Sequence, residues 1–583
     1  MTTNTLDNNT NPTRWSNRLN ALCTQENIIT IVVSIIVGVA VILPLITLVI
    51  SSFLVLDDLG FDTEWGFGNY IEIVTDPVIP KAFLNTIIIC SGCTVLATLL
   101  GVSLAWTNAR TNCPGRAWLE PFNLIPFFLS PFIGAIAWHN LGEPQTGLLN
   151  NLARDIFNIE GAILNVDNIW GVIWVTGIFF APLVYLFVIG SLRRMDPSLE
   201  DSARTTGAGL LKTTMTITLP LVMPGILSGA IIVFVTSAGE FGVPFKLSAP
   251  YGWETLTTQI FTKAVGDDAN HYLGATMAMA LGAITIFLIF IQRRYIAPRS
   301  FETVTGKGFR PNVLDLGGWK WVAFAFNIVF IFVAVVLPII SLIIVSLHPV
   351  WTGEIVVEKL TFINYTKTLF FWDENSIDAA TNGILNSLFL AFVGASIAMV
   401  LALVVSYMIH RTKGAGSAIL DFLCVVPIGF PGIVLAMGVL VTYIQTPIYA
   451  TLWILLLGYI TRFFPYGQRN IAAIMLSISE ELDQSSRMAG ATWVTTMRRI
   501  TIPLLKPGIF AGWILLFVIF LRELSISIIL YTSGTETLAV GVYYLSNFEN
   551  EPLTAALSLA QTVLCLICMF AFRRLAGKEA LTA

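Results

Sequence analysis

The chain has 583 residues, of which 12% are charged and 55% hydrophobic, and its mean hydropathy is +0.78. A soluble globular chain carries about 25% charged residues, so composition excludes a soluble enzyme. A net charge of −4 and seven Cys point away from a nucleic-acid partner and from a disulfide scaffold.

In chain order, the first 27 residues are polar and rich in Asn and Thr, which predicts a tail. Apolar stretches follow at 28–53, 82–106, 118–140, 169–191, 221–240 and 272–292. A polar linker covers 293–319, and a second series runs at 320–347, 383–408, 417–443, 448–467, 504–524 and 552–572. Each run is close to the ~20 residues that a membrane-spanning helix needs. The expected fold is therefore all-α and integral to the membrane, with about twelve spans. Its divisions are a tail (1–27), a first half (28–292), a linker (293–319), a second half (320–575) and a tail (576–583).

Basic residues orient the spans. With the N-terminus inside, 24 of the 32 Lys and Arg fall on inner segments or span edges, six fall outside, and Lys320 and Arg522 lie within spans. Both termini are then cytoplasmic. The acids are opposed: 23 of 36 fall outside. Such a face attracts cations or a basic docking surface, or simply collects acids where bases are excluded.

Cys90 and Cys93, like Cys565 and Cys568, have C-x-x-C spacing inside apolar runs and read as small packing residues. The four His show no H-x-x-x-H spacing, and no G-x-x-x-x-G-K-[ST] loop occurs, so no cofactor is expected on this chain.

The two series look like copies. Leu43-Pro44 matches Leu337-Pro338, Asn69-Tyr70 matches Asn364-Tyr365, and Arg110-Thr111 matches Arg411-Thr412. Pro126 matches Pro427, and Arg293-Arg294 matches Arg573-Arg574. Six spans per copy keep both halves in one orientation, which implies a pseudo-twofold axis along the membrane normal with a pathway between the halves.

The best-matched segment is on the inner side. Asp201-Ser202-Ala203, three residues, Gly207, nine residues and Ile217-Thr218-Leu219-Pro220 recur in the second half at one constant offset. The second copy is Gln484-Ser485-Ser486, Gly490 and Ile500-Thr501-Ile502-Pro503, without a gap. Ala203 and Gly207, like Ser486 and Gly490, are i,i+4 and put two small residues on one helical face, allowing close approach. Gly207 and Gly490 can also end a short helix, and Pro220 and Pro503 are expected to break the chain ahead of the next span. The expectation is a short helix across the inner face, joined to the fifth and eleventh spans.

These residues resemble the signature E-A-A, three residues, G, nine residues, I-x-L-P of permease subunits of binding-protein-dependent ABC importers, with Asp201-Ser202-Ala203 and Gln484-Ser485-Ser486 in place of E-A-A. The resemblance covers about residues 28–575 and implies the type I importer permease fold, with two parallel six-helix repeats in one chain. It implies that each motif is a coupling helix docking on one of two cytoplasmic ATPase subunits, which carry ATP and Mg. A periplasmic substrate-binding protein would deliver cargo, and the chain would lie in a bacterial inner membrane. The runs Gly239-Glu240-Phe241-Gly242-Val243-Pro244, Thr255–Ile260, Arg522–Ser527 and Gly534–Leu538 are similar to the iron(III) branch. Thiamine, polyamine, phosphonate and sulfate permeases share the architecture.

Glu240 and Glu523 stand at the same separation from their motif prolines, Pro220 and Pro503. At about 1.5 Å per helical residue, that separation covers most of a bilayer core about 30 Å thick. Both are therefore expected near the outer end of their spans, where they could face each other across the pseudo-twofold axis. Ionisable residues at membrane depth mark pathways. The pair could gate the pathway with Arg522, or hold a hard trivalent cation in transit. The competing readings are helix-end acids in water and, for the whole chain, a gradient-driven secondary transporter. That transporter would give no reason for two matched inner helices. A membrane enzyme has no recurring nucleophile, base or metal cluster to support it.

Overall fold

The computed structural model describes residues 25–56, 63–159, 161–196, 198–266, 269–296, 313–370, 377–411, 415–547 and 550–576. Most of both expected tails, much of the linker, and Thr412 of the matched Arg-Thr pairs lie outside the described residues.

Apolar composition and length make helices of nearly every predicted run, because a helix satisfies its own backbone groups in lipid. Among the described residues, nine unbroken helices are long and apolar enough to cross a membrane. They are span one (Ile29–Ser52), two (Ile79–Arg110), four (Ile169–Arg193), five (Thr214–Ala238), six (His271–Ile291), seven (Gly317–Ser346), eight (Asp378–Arg411), eleven (Trp493–Leu521) and twelve (Glu551–Ala571). Span ten is the helix Leu452–Met475, whose apolar run is interrupted by Arg462, Gln468 and Arg469. A two-stranded antiparallel ribbon, Leu54–Leu56 with Thr63–Trp65, follows span one.

Spans three and nine, expected as straight runs at 118–140 and 417–443, are broken. Arg116–Phe128 and Pro131–Gly142 meet at 94°, and Gly416–Gly429 and Gly432–Tyr443 meet at 108°. The cause is proline: Pro131 and Pro431 have no N–H to continue the ladder, and they bias the preceding residue away from helical geometry. The apolar run continues through both breaks, so hydropathy alone does not register them.

In the first half, spans two, four and five form the packed centre; in the second half, spans eight, ten and eleven do so. Small residues set these distances. A Cβ on Gly101 would lie 2.6 Å from the Ala181 carbonyl oxygen, and one on Gly467 would lie 2.8 Å from Met399 Sδ. Close backbone approach through small residues is how helices associate in lipid.

The first span of each half crosses to the other half. Span one packs on both limbs of span nine and on span six, so closely that a Cβ on Gly438 would lie 2.7 Å from the Pro44 carbonyl oxygen. Span seven packs on spans three and twelve. Its buried Asn327 accepts from Asn123 Nδ2 (2.7 Å) and Asn108 Nδ2 (3.2 Å) and donates to Thr107 Oγ1 (3.1 Å). The sequence repeat and the packing unit are therefore not the same set of helices.

The matched Asn-Tyr pairs have matched roles. Tyr70 is hydrogen-bonded to Ser52 (2.8 Å) and Tyr365 to Ser346 (2.6 Å), while Asn69 donates to Leu54 O (2.7 Å) and Asn364 to Ser346 O (2.9 Å). Each Asn-Tyr ties the following loop to the end of the first span.

Candidate functional site: paired motif helices and a charged level at the broken spans

The two motifs lie at equivalent places in the two halves, the first between spans four and five and the second between spans ten and eleven. The first forms the helix Ser198–Thr205 and the second Glu480–Met488. Gly207 follows at φ +88° and Gly490 at +81°, the left-handed region that favours glycine. Ala208 N–H then bonds back to Ala203 O (3.0 Å) and Ala491 N–H to Ser486 O (3.1 Å), the six-to-one bond of a glycine-terminated helix. A Cβ on either glycine would meet nothing within 4 Å in this chain. Of the two sequence-based reasons for Gly207 and Gly490, the backbone geometry is that of helix termination; close approach finds no neighbour within the chain.

Beyond each glycine the chain does not break at the motif proline, contrary to expectation. A helical turn (Leu210–Thr213), a π-helical turn (Thr214–Thr218) and the helix Leu219–Ala238 make one rod. Trp493–Thr496, Met497–Thr501 and Ile502–Leu521 repeat the pattern. Pro220 and Pro503 sit in the first positions after the π turn, whose wider winding absorbs the missing donor. The same π turn, Phe332–Val336, precedes Leu337-Pro338 in span seven. Ile217 and Ile500 lie in these turns and are half-buried, while Pro220 and Pro503 are exposed.

Asp201, Ser202, Gln484 and Ser485 lie toward the outside of their helices, and Ala203 is half-buried. Leu199 and Leu482, related by the same offset as the motifs, are 44% and 46% exposed, and Met488 is 90% exposed, leaving apolar surface on both helices. The sequence reading missed the residue just before each motif. Glu200 and Asp483 are buried. Glu200 pairs with the buried Arg110 and accepts from Thr218 Oγ1 (2.5 Å). Asp483 lies 3.4 Å from Arg411 Nε and accepts from Thr501 Oγ1 (3.2 Å). Extending the motif alignment by one residue toward the N-terminus would have found them.

Glu240 and Glu523 follow the ends of their spans at Ala238 and Leu521, and those ends stand beside the breaks of spans three and nine. Each acid caps the turn after it: Ile526 N–H donates to Glu523 Oε1 (2.9 Å), and Glu240 accepts from the backbone of Val243 and Gly242. The halves touch here. Ser525 Oγ donates to Gly239 O (3.1 Å), and a Cβ on Gly239 would lie 2.8 Å from Pro431 Cβ.

Two arginines complete this level. Arg522 donates to Leu129 O (2.7 Å) at the break of span three and lies over the Phe127 ring at 5.1 Å. Arg462, counted above at an inner span edge, is instead buried within span ten and donates to Pro427 O. That carbonyl would ordinarily receive the N–H of residue 431, which is Pro. Each guanidinium thus satisfies a carbonyl at a break, where lipid offers no replacement donor; Glu523 feels the charge of both guanidiniums and Glu240 that of Arg522.

A cavity of about 640 Å³ is lined by His139, Glu143, Lys246, Tyr251, Trp351 and Glu551 among others. His139 Nδ1 is 2.8 Å from Asp167, Nε2 is 3.5 Å from Glu551, and Tyr251 donates to Asp167 (3.1 Å). Cys90, Cys93 and Cys565 are buried and Cys568 half-buried, all as free thiols.

The chain is 23% identical over 515 residues to the ferric transport system permease protein FbpB of Actinobacillus pleuropneumoniae, covering 85% of this chain and 71% of that protein. The molybdenum transport system permease protein ModB of Escherichia coli K12 is 28% identical over 37% of this chain and 93% of its own length. The sulfate transport system permease protein CysT of Salmonella typhimurium is 24% identical over 39% and 80%. Residues 97–301 and 406–579 each match one family model, and both segments contain a complete motif. The chain belongs to the family of binding-protein-dependent transport system inner membrane components, and carries two copies of it.

Proposed function

We propose that this ABC importer permease moves ferric iron from a periplasmic binding protein to the cytoplasm by alternating access. The observation that carries the reading is the pair of motif helices. Two helices at equivalent places in the two halves end in the same left-handed glycine and are seated on the foot of equivalent spans. A pair of like docking sites is what a pair of ATPase subunits requires. The residues Asp201, Ser202, Ala203, Gly207, Ile217 and Pro220 form one docking site, and Gln484, Ser485, Ser486, Gly490, Ile500 and Pro503 the other. ATP and Mg belong to the two ATPase subunits, and both termini, with the motif face, are cytoplasmic. The ferric relative matching most of the chain supports the cargo.

The cavity face receives the binding protein. Alternating access then means that the contact of Gly239 with Ser525 and Pro431 opens and closes. Glu240 and Glu523 pass the cation, while Arg522 fixes the broken span behind them. An oxyanion cargo is the second reading, favoured by the molybdenum and sulfate relatives and by Arg462 and Arg522. Both guanidiniums are engaged by backbone carbonyls, however, so ferric iron is the reading retained.

Purifying the chain from its native membrane tests both levels. The proposal expects an ATPase subunit at two copies per chain, and iron as the metal bound to the partner binding protein. A binding protein loaded with molybdate or sulfate would overturn the cargo, and absence of an ATPase would overturn the class.

A further inference from the structure

We propose that the clusters Arg110–Glu200–Thr218 and Arg411–Asp483–Thr501 are the joints through which each motif helix moves its half, with Glu200 and Asp483 as positioning residues. The inference rests on the reading of the motif helices as ATPase-docking elements.

Each joint gathers three elements on one carboxylate. The acid comes from the motif helix, the guanidinium from the end of span two or eight, and the hydroxyl from the π turn at the foot of span five or eleven. Glu200 is 2% exposed although Leu199, Asp201 and Ser202 around it are exposed, so its side chain is what the helix turns toward the protein. Otherwise the helix packs mainly on the short helix and π turn that follow it. A displacement imposed on the exposed face therefore reaches span two through this carboxylate, and span five through it together with the π turn; in the second half the hydrogen bond between Ser486 Oγ and Thr496 Oγ1 (2.8 Å) adds to the link with span eleven. Spans two and five belong to the packed centre of the first half, and spans eight and eleven to that of the second, so each joint grips two of three central helices.

The backbone of Arg110 is also held from the far side. Leu314 N–H donates to Arg110 O (2.8 Å) and Asn112 N–H to Leu314 O (3.0 Å). The lead-in to span seven is thus stitched beside the first joint.

The joints are unequal. Arg110 and Glu200 have side-chain exposures of 0% and 2% and contact directly. Arg411 and Asp483 are at 7% and 11%. Arg411 divides itself between Asp483, Glu480 (4.0 Å) and the carbonyls of Met475 (3.2 Å) and Ile478 (2.7 Å). A buried charge pair holds one geometry, because leaving either partner unmatched is costly. A charge shared among several acceptors yields more readily. The first joint is the stiffer transmission.

The test is uptake per ATP hydrolysed, with ferric ion carried by its binding protein as the probe, in proteoliposomes holding the whole complex. Glu200→Gln should lower that ratio about tenfold, within the range of coupling between sites. Asp483→Asn should lower it less. Thr218→Val, which keeps shape and fold, should lower it severalfold, and Glu200→Asp, the residue the second half uses, should retain most of it. Because Glu200→Gln leaves Arg110 unmatched and can block assembly, Thr218→Val decides independently. A normal ratio in Thr218→Val, or in an assembled Glu200→Gln, overturns the joint. A merely structural role would lower the amount of complex at unchanged ratio, and that result overturns it too. Wild type that binds no ATPase overturns the underlying reading instead.

Discussion

Gly207 and Gly490 hold φ at +88° and +81° with open space where a Cβ would go. A non-glycine residue in left-handed geometry costs about 1–2 kcal/mol, and Asn is the side chain that tolerates it best. Gly207→Asn should therefore keep ATPase co-purification and uptake near wild type, while Gly207→Leu should lose both. Equal failure of the two in a pull-down would mean that contact with the partner, not helix termination, demands glycine. Glu240 and Glu523 make a second contrast. Glu523 is next to Arg522 in sequence and accepts from the Ile526 N–H. Glu523→Gln keeps an acceptor but removes the charge that offsets Arg522 and Arg462, and an unmatched buried charge is costly. Ferric uptake should fall more for Glu523→Gln than for Glu240→Gln, and most for the pair, at normal complex assembly. Unchanged vesicle uptake in the double variant would make both acids caps of their own turns and nothing more.

The rods built on π turns link these residues to the membrane. Because Pro220 and Pro503 lack an N–H, the turn before each stays wide. Pro220→Ala restores the donor and lets the foot of span five close to α-helical winding. That rotates everything on the motif side by about 100° per residue gained or lost. The expected result is weaker coupling with the span intact, read as lower uptake per ATP at normal protein levels. Retained coupling would make the π turn incidental. At this scale the sequence was legible where composition decides. The spans followed from apolar runs, and the equivalence of the two motifs from their constant offset. The breaks at Pro131 and Pro431 did not, because hydropathy is continuous through Ser130-Pro131 and Phe430-Pro431 and only backbone chemistry interrupts the helix. Arg462 was hidden for a related reason. It sits close to a predicted span edge, and its role depends on the carbonyl of Pro427, far from it in the chain. Glu200 and Asp483 were passed over because the family signature begins one residue later.

In the whole molecule, the exchange of spans one and seven binds the halves together more firmly than a linker could. Span seven inserts Asn327 among Asn108, Asn123 and Thr107, and span one lies against Gly438. Two chains, cut between residues 300 and 301 and expressed together, should associate in the membrane and transport. Either half alone should fail, with its exchanged span unpartnered. Co-purification of the fragments checks this, and independent folding of a single half would contradict the exchange as the source of cohesion.

Whether ATP hydrolysis by subunits docked on the two motif helices drives ferric iron through this chain is tested most directly by reconstituted transport. The chain, its ATPase and its iron-loaded binding protein are placed in proteoliposomes, and radioactive iron entering the lumen is counted with and without ATP. Uptake should require both ATP and the binding protein, and should be abolished by Gly207→Leu with Gly490→Leu. Iron uptake that persists without ATP, or ATP-dependent uptake of molybdate or sulfate in place of iron, would contradict the proposed function.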